Sequence, residues 1–316
     1  MVKKLIVNFA LCIGALAYEE NIFNVQVLKA NGLNISLYSS QKDNTSYGFV
    51  ENNNGSRNFL GNVNKNEYSI DIYNKGSCLI KNIKNNDFSI LCKDEETILK
   101  KDDFKAEIIQ LSLKDKLQVS PDKVIEFDFV DDLLKIESKD RKLQRIVDDF
   151  NQNLDKKSLK DKIMQIHKKW KNDAEIFYEN LSQSFIFYYD KKIISLGKNT
   201  YIYEGGAHGM NSMQRKTYDI DSMKLINLKN ELKIENDQFV NMIKTKLLKE
   251  HEESDFFNID EIKPSEKFEV RQNGLILIWE PYEIGPYSSG AIELFVSYEE
   301  LKPYWRSKSK LAYLSL

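Results

Sequence analysis

The chain has 316 residues, which is enough for two domains, and 41% of them are hydrophobic, including 17 Phe and 16 Tyr. This apolar content supports a packed core and excludes an intrinsically disordered chain. Charged residues make up 30%, but 46 basic residues nearly balance 48 acidic ones. Because the charge is balanced, we expect no nucleic-acid partner.

The first 17 residues have the pattern of a secretory signal peptide. Met1 to Lys4 form a short basic segment, and residues 5–15 form an apolar run of the length typical of such signals. Ala15-Leu-Ala17 is a small-x-small cleavage site, so the mature chain is predicted to begin at Tyr18. The alternative is an uncleaved anchor, but the run is shorter than the roughly 20 residues that span a bilayer. We therefore expect a periplasmic or secreted protein with no integral membrane segment after cleavage.

Two cysteines, Cys78 and Cys92, remain after the signal peptide. They bracket two short apolar runs around Asn85-Asn-Asp87, which is the pattern of a β-hairpin. In an oxidising compartment, a disulfide between them would close the open end of this hairpin. Two free thiols are the alternative. Neither cysteine has the CxxC spacing of a redox or zinc site.

Residues 18–104 are predicted to form a small β-rich module. Segments 25–28, 33–38, 68–73 and 88–91 alternate apolar and polar residues as half-buried strands do. Turns rich in Asn and Gly, such as residues 51–56, separate them.

Residues 105–316 combine strand and helix patterns. Two amphipathic helical sets cover residues 139–172, and another helix is predicted to begin at Asn236 or Asp237 and to end near Glu250. Strand patterns occur at residues 105–113, 123–130, 184–190, 192–196, 216–220, 275–279 and 291–297. We therefore expect an α+β fold, with an antiparallel sheet and packed helices, preceded by the small β-rich module.

The residues that carry most metal and acid–base chemistry are sparse. The chain has three histidines, His167, His208 and His251, and none has the spacing of a metal-ligand motif. No Gly-x-Ser-x-Gly elbow and no GxGxxG loop occurs. The sequence therefore predicts no metal site and no cofactor.

One stretch, Tyr201-Ile-Tyr-Glu-Gly-Gly-Ala-His-Gly209, runs from an aromatic strand into a glycine-rich turn. Gly205 and Gly206 indicate a special turn or a close backbone contact. Glu204 and His208 could form an acid–base pair across the turn. The alternative, which we favour, is that both residues orient the loop.

A second loop, residues 280–290, contains two prolines, two tyrosines and two serines. Tyr282, Pro286 and Tyr287 present contact area at low entropic cost, and Ser288 offers hydrogen bonds. Tyrosine with Ser and Gly is typical of recognition loops. The alternative is a structural connection with its aromatic rings packed inward.

Taken in order, four segments resemble the extracytoplasmic domains of RsiV-type, lysozyme-sensing anti-sigma factors. They are Ile193-Ile-Ser-Leu196, Tyr201 to Gly209, Tyr218-Asp-Ile-Asp221 and Trp279 to Gly290. A similar module accompanies the catalytic domain of some peptidoglycan deacetylases. The resemblance covers about residues 105–305 and implies an exported α+β domain that acts at the cell wall.

The resemblance implies a binding role rather than catalysis. The sequence shows no transmembrane helix, no cytoplasmic sigma-binding segment and no deacetylase domain, so we expect neither an anti-sigma role nor deacetylation to carry over. We expect a cell-envelope binding protein that recognises a lysozyme-like muramidase or peptidoglycan. The alternatives are a peptidoglycan-modifying hydrolase or deacetylase-type enzyme that uses Glu204 and His208, and a structural assembly module. The binding candidates are Tyr203, Gly205, Gly206, His208, Tyr282, Pro286, Tyr287 and Ser288.

Overall fold

The computed structural model describes residues 19–53, 55–72, 76–84, 87–120, 123–151, 177–204 and 208–316. Strands dominate it and make up more than half of the chain. They are β1 (Glu19–Ala30), β2 (Leu33–Ser40), β3 (Thr45–Asn52), β4 (Gly55–Asn64), β5 (Glu67–Ile72), β6 (Gly76–Lys84), β7 (Asp87–Cys92), β8 (Glu95–Lys101), β9 (Ala106–Ser120), β10 (Lys123–Ile136), β11 (Phe177–Tyr189), β12 (Ile193–Tyr203), β13 (Met210–Asp219), β14 (Lys224–Leu225), β15 (Phe268–Val270), β16 (Gly274–Trp279) and β17 (Ile292–Ser297).

The helices in the described residues are few and mostly short. They are α1 (Arg141–Phe150), α2 (Leu228–Glu231), α3 (Asp237–Glu250) and α4 (Tyr298–Leu301), with short 3-10 helices at Glu253–Asp255, Ile259–Glu261, Tyr287–Ser289, Lys302–Tyr304 and Ala312–Ser315. No helix in this part of the chain has the length and apolar character to cross a membrane.

The predicted small β-rich module is a closed eight-stranded barrel. Strands β1 to β8 pair with their neighbours in order, and β8 pairs back onto β1 through Leu28 and Lys101. Alternating side chains fill the interior, and the most deeply buried are Leu28, Ile35, Leu37, Ile70, Ile80 and Leu99. Closure satisfies the backbone groups that an open sheet would leave at its edges.

Strand β1 also joins the barrel to the rest of the sheet. Along one edge of β1, the first half of the strand pairs with β9 and its end pairs with β8. The other edge pairs with β2. The sheet then continues from β9 through β10, β11, β12 and β13 to β14.

Three features differ from the predicted α+β fold with an antiparallel sheet. Strands outnumber helices by far, and the barrel was not expected from the sequence. In addition, β10 and β11 are parallel, so a crossover must connect them. Helix α1 begins that connection where a helix was predicted. The second predicted amphipathic set and His167 lie outside the described residues.

A second sheet, β15–β16–β17, has two different faces. Its apolar face packs against α3, which buries Phe239, Ile243 and Leu247. Asn236 caps this helix by accepting hydrogen bonds from the Gln238 and Phe239 amides, so the predicted helix start is confirmed. The opposite face, which carries Glu269, Ile276 and Glu293, is turned towards the barrel because neighbouring strand residues alternate sides.

One hydrophobic cluster joins the outer face of the barrel to the larger sheet, and it includes Tyr38, Phe49, Phe185 and Phe187. Tyr38 of β2 donates a hydrogen bond to the Ile186 carbonyl and accepts one from the Ile186 amide, both at 2.9 Å. Its ring packs edge-on against Phe49 and Phe185. Burial raises the pKa of Tyr38, so its hydroxyl stays protonated and can donate. This contact holds β2 against β11. It lies next to the shift in strand register between Ile186 and Tyr188.

A buried ionic network crosses the same interface. Arg271 donates to Glu51 at 3.1 Å and to Glu269 at 2.5 and 2.8 Å. Its guanidinium lies 4.2 Å from the Phe49 ring centre and 4.4 Å from that of Phe187. One cation thus connects the barrel carboxylate of Glu51 with the second sheet.

Arg215 of β13 completes the network by pairing with Glu269. Burial raises the pKa of Glu51, although Arg271 counteracts this effect. The charged form of Glu51 therefore loses hydration free energy in the folded protein, and the ion pair with Arg271 has to offset that loss.

We predict that Arg271→Met lowers the free energy of unfolding by about 3–5 kcal/mol, because it leaves Glu51 buried without its cation and leaves Glu269 with Arg215 alone. Urea unfolding followed by circular dichroism measures the change. Lys105→Met is the control, because the Lys105–Glu137 pair has side chains 72% and 61% exposed. The control should change stability by less than about 1 kcal/mol. Equal effects of the two substitutions would contradict the role assigned to Arg271.

The predicted disulfide is confirmed. Cys78 and Cys92 lie directly opposite each other on β6 and β7 and are bonded, so they close the hairpin at its open end.

We predict that the double substitution Cys78→Ala and Cys92→Ala lowers the free energy of unfolding by about 3 kcal/mol, because the unfolded chain loses a short closed loop. The measurement is urea unfolding with and without reductant. Reductant should destabilise the natural protein and leave the variant unchanged. A natural protein that is insensitive to reductant would show that the bond adds no stability.

Candidate functional site

The β12–β13 hairpin holds His208 against the second loop. Strand β12 ends at Tyr203 and β13 begins at Met210. The His208 ring stacks on the Tyr287 ring, with 4.5 Å between ring centres and 25° between planes. The structure thus brings the ends of the two predicted loops into contact. Gly205 and Gly206 lie outside the described residues.

The Gly209 carbonyl is the point at which this contact is fixed. It accepts a hydrogen bond from Tyr287 Oη at 2.7 Å, and His208 Nδ1 lies 2.9 Å from it. A carbonyl oxygen can only accept, so Nδ1 carries a proton and donates. Two donors therefore use both lone pairs of one carbonyl.

Gly209 is required by the close approach of Tyr201. A Cβ atom at this position would lie 2.4 Å from the Tyr201 ring. No side chain fits at that distance unless the ring moves. The glycine therefore lets its own backbone lie close to an aromatic side chain of β12.

Loop 280–290 is a compact turn with its own hydrogen bonds. The Tyr282 amide donates to the Gly285 carbonyl at 3.0 Å, and the Glu280 amide donates to Glu283 Oε2 at 2.8 Å. Tyr282 has a positive φ of 74° and is 59% exposed. Its ring centre lies 5.8 Å from that of Tyr287. The loop thus presents one exposed ring beside a stacked pair.

The rest of the loop anchors this turn to the body of the protein. Pro286 precedes the 3-10 helix that contains Tyr287 and Ser288. Ser289 Oγ donates to the Asp255 carbonyl at 3.2 Å. Gly285 lies so close to that carbonyl that a Cβ atom would be 2.1 Å from it. The backbone contact fixes the loop and explains the glycine.

A cleft of about 570 Å³ opens next to the two loops. We call it the loop cleft. Its walls come from β9 to β13 and loop 280–290, and more of their exposed area is apolar than polar. Uncharged polar side chains are nevertheless the largest group of lining residues. They include Gln110, Ser182, Gln183, Asn199, Thr200, Asn211 and Ser212, together with the aromatic residues Tyr201 and Tyr287.

Two polar groups of the loop cleft are suited to contact a ligand. Asn199 Oδ1 is buried and has no hydrogen-bond donor among the described residues. Glu280 accepts from the Met213 amide at 3.1 Å and pairs with Lys267 at 2.6 Å. Burial alone would raise the pKa of Glu280, but Lys267 lowers it, so the carboxylate is charged at neutral pH.

The predicted site residues were only part of this arrangement. Of the predicted residues, Tyr287 lines the loop cleft. His208 and Tyr282 lie against Tyr287, and Pro286 and Ser288 flank it in the chain. The polar side chains of the strands were not singled out, because Ser, Asn, Gln and Thr between strand residues carry no motif. The only available signal was alternation with buried residues in β11, and β12 shows no such alternation around Asn199 and Thr200.

Asp132 lies behind one wall of the loop cleft. Its carboxylate accepts from the Ser184 amide at 2.8 Å and from the cleft residue Gln110 at 3.4 Å. The neighbouring Asp131 pairs with Lys198 at 2.6 Å. Burial, and to a smaller extent the charge of Asp131, raise the pKa of Asp132 to about 7. Within the described residues, no group of three or more His, Cys, Asp and Glu could hold a metal ion.

We expect the free energy of unfolding to fall as the pH rises from about 4 to 7, and we predict that Asp132→Asn makes this fall smaller. In this window the folded protein keeps a proton that the unfolded chain releases, because the raised pKa belongs to the folded state. Stability therefore falls as pH rises, by up to about 1.4 kcal/mol per pH unit from this group. Urea unfolding at pH 5 and pH 8 measures the difference. Identical pH dependence in both proteins would contradict the assignment.

Comparison with known proteins identifies one domain of this chain. Residues 222–299 match the model of a family described as a protein of unknown function, DUF3298. The matched segment contains α3, the second sheet and loop 280–290. A comparison with curated proteins finds no match.

Two crystal structures of DUF3298 family members are similar in fold. The protein from Bacteroides fragilis is 16% identical, with a TM-score of 0.50, and the alignment covers 65% of this chain and 94% of that one. The protein from Pseudomonas aeruginosa is also 16% identical, with a TM-score of 0.42 and coverage of 63% and 94%. At this identity, the first similarity establishes a shared fold and nothing about activity.

Proposed function

We propose that this chain is an exported binding protein of the cell envelope that recognises peptidoglycan in the loop cleft. The observation that carries the proposal is the cleft itself, whose polar side chains lie beside the stacked rings of His208 and Tyr287. Small-molecule sites usually have volumes of a few hundred cubic ångströms and a few precisely placed polar groups.

The lining chemistry fits a glycan. Sugar hydroxyl and acetamido groups both donate and accept hydrogen bonds, as do the Asn, Gln, Ser and Thr side chains of the cleft. A ligand hydroxyl could donate to Asn199 Oδ1, which would relieve the cost of leaving a buried acceptor unpaired. The Tyr201 and Tyr287 rings offer rigid apolar area for the faces of sugar rings.

Export supports the choice of ligand. The first 17 residues have the pattern of a signal peptide, and Cys78 and Cys92 form a disulfide of the kind typical of oxidising compartments. A bacterial protein in that compartment meets peptidoglycan, and the resemblance to RsiV-type domains supports the same location.

A muramidase-type protein is the second candidate partner. The observation that favours it is Tyr282, which is 59% exposed at the tip of loop 280–290. Exposed tyrosines on an anchored loop are frequent anchors in protein–protein interfaces. The resemblance to lysozyme-sensing domains supports the same partner.

Catalysis is the competing hypothesis. A peptidoglycan-modifying enzyme would use Glu204 and His208 as acid and base. In the structure, His208 donates its Nδ1 proton to Gly209 and stacks on Tyr287, which leaves Nε2 for proton transfer. The arrangement orients the ring, but by itself it identifies no substrate.

We predict that the purified protein binds disaccharide–peptide fragments of peptidoglycan, and that Asn199→Ala and Tyr287→Ala each raise Kd about tenfold. Tenfold corresponds to about 1.4 kcal/mol, the magnitude expected for one hydrogen bond or one aromatic contact. Isothermal titration calorimetry measures Kd. The control is Phe257→Ala, because Phe257 is 62% exposed and does not line the loop cleft.

Several outcomes would overturn this proposal. Absence of binding to the fragments and to intact peptidoglycan would exclude the glycan ligand. Binding to lysozyme alone, weakened by Tyr282→Ala, would select the muramidase candidate instead. Turnover of the fragments that is lost in His208→Ala would establish an enzyme.

A further inference from the structure

A smaller recess adjoins the loop cleft on the side of the barrel. Its volume is about 190 Å³, and Gln183 and Asn199 line both cavities. We call it the inner recess. One wall comes from strands β3 and β4 of the barrel, and the other comes from β11, β12 and β13 and from the charged face of the second sheet. A ligand in the loop cleft therefore lies next to the inner recess.

Two buried polar atoms of residues that line the inner recess have no hydrogen-bond partner among the described residues. They are Tyr47 Oη and Asn199 Oδ1, one from the barrel wall and one from the sheet wall. Gln183 is close enough to influence the pKa of Tyr47, but it makes no hydrogen bond of standard geometry to the hydroxyl. Burial raises that pKa well above its ordinary value, so the hydroxyl is protonated and can donate. The recess thus presents one donor and one acceptor to its occupant.

Aromatic side chains form the apolar part of the inner recess. Phe49, Phe185 and Phe187 all line it. The rings of Phe185 and Phe187 are stacked with 5.6 Å between their centres, and the Phe49 ring centre lies 5.5 Å from that of Phe185. A methyl-sized group placed against these rings would be removed from water, which is favourable.

The charged residues of the inner recess favour neither sign of ligand. They are two cations and two anions, Arg215, Arg271, Glu269 and Glu293. Both arginines are already paired with Glu269, and Glu293 is exposed to solvent. The charges therefore balance, and a neutral polar group suits the recess best.

We propose that the inner recess binds the acetamido group of an N-acetylated sugar whose ring lies in the loop cleft. An acetamido group is neutral and has one N–H donor, one carbonyl acceptor and one methyl group. The N–H donates to Asn199 Oδ1, the carbonyl accepts from Tyr47 Oη, and the methyl group packs against Phe185. This inference rests on the proposed glycan recognition and adds its specificity, because the protein would select glycans by their N-acetylation.

The test compares N,N′-diacetylchitobiose with cellobiose. Both are neutral disaccharides with the same linkage, and they differ only in an acetamido group in place of one hydroxyl group on each ring. Calorimetric titration of the purified protein should give a Kd at least about tenfold lower for diacetylchitobiose, because only this sugar fills the recess. Tyr47→Phe should raise that Kd about three- to tenfold, which corresponds to one neutral hydrogen bond, and should leave the Kd of cellobiose unchanged.

A stability measurement separates recognition from a structural role of Tyr47. Tyr47→Phe removes a hydroxyl that has no partner among the described residues, so urea unfolding should show no loss of stability. The matched control is Tyr304→Phe, because Tyr304 packs edge-on against Phe239 and lines neither the loop cleft nor the inner recess. It should change both Kd values less than about twofold.

The outcomes distinguish this inference from the proposed function. Equal affinity for the two disaccharides, or an unchanged Kd of diacetylchitobiose in Tyr47→Phe, would overturn the acetamido assignment. Binding of peptidoglycan fragments without binding of diacetylchitobiose would overturn it too, and in these cases glycan recognition at the loop cleft would stand. Absence of binding to the disaccharides and the fragments alike would overturn both.

Discussion

The ion pair between Arg271 and Glu51 is the interaction on which the arrangement of the molecule depends. It joins two residues 220 positions apart, one on the barrel and one beside the second sheet. Buried charges tolerate little misplacement, because each loses its hydration and needs its partner at hydrogen-bond distance. The network therefore specifies how the barrel sits against the rest of the chain, while Tyr38 and the shared aromatic core supply the apolar area.

Two features of the molecule follow from this arrangement. The second sheet turns an apolar face to α3 and a charged face to the barrel. The loop cleft exists because β13 pairs with β12 and also meets loop 280–290 through Glu280 and Tyr287. The two loops contact each other as a consequence of strand order, and Gly209 and Gly285 allow their backbones to approach neighbouring groups closely.

Local features of the fold could be predicted from the sequence. The cap at Asn236 marked the start of α3, and two cysteines around a hairpin marked the disulfide. Closure of the barrel could not be predicted, because it depends on pairing between β1 and β8, which alternation within each strand does not encode. The parallel pairing of β10 with β11 and the Arg271–Glu51 contact are likewise long-range. The Tyr, His and Gly residues beside the loop cleft could be identified from the sequence. Its polar strand residues could not, because they resemble the polar residues of any half-exposed strand.

The most direct test of glycan recognition is chemical-shift mapping of the purified protein during titration with peptidoglycan fragments. The account predicts that the perturbed amides cluster at Asn199, Tyr201 and Tyr287. Perturbations confined to other surfaces, or none at saturating fragment concentration, would contradict the assignment of the loop cleft as the ligand site.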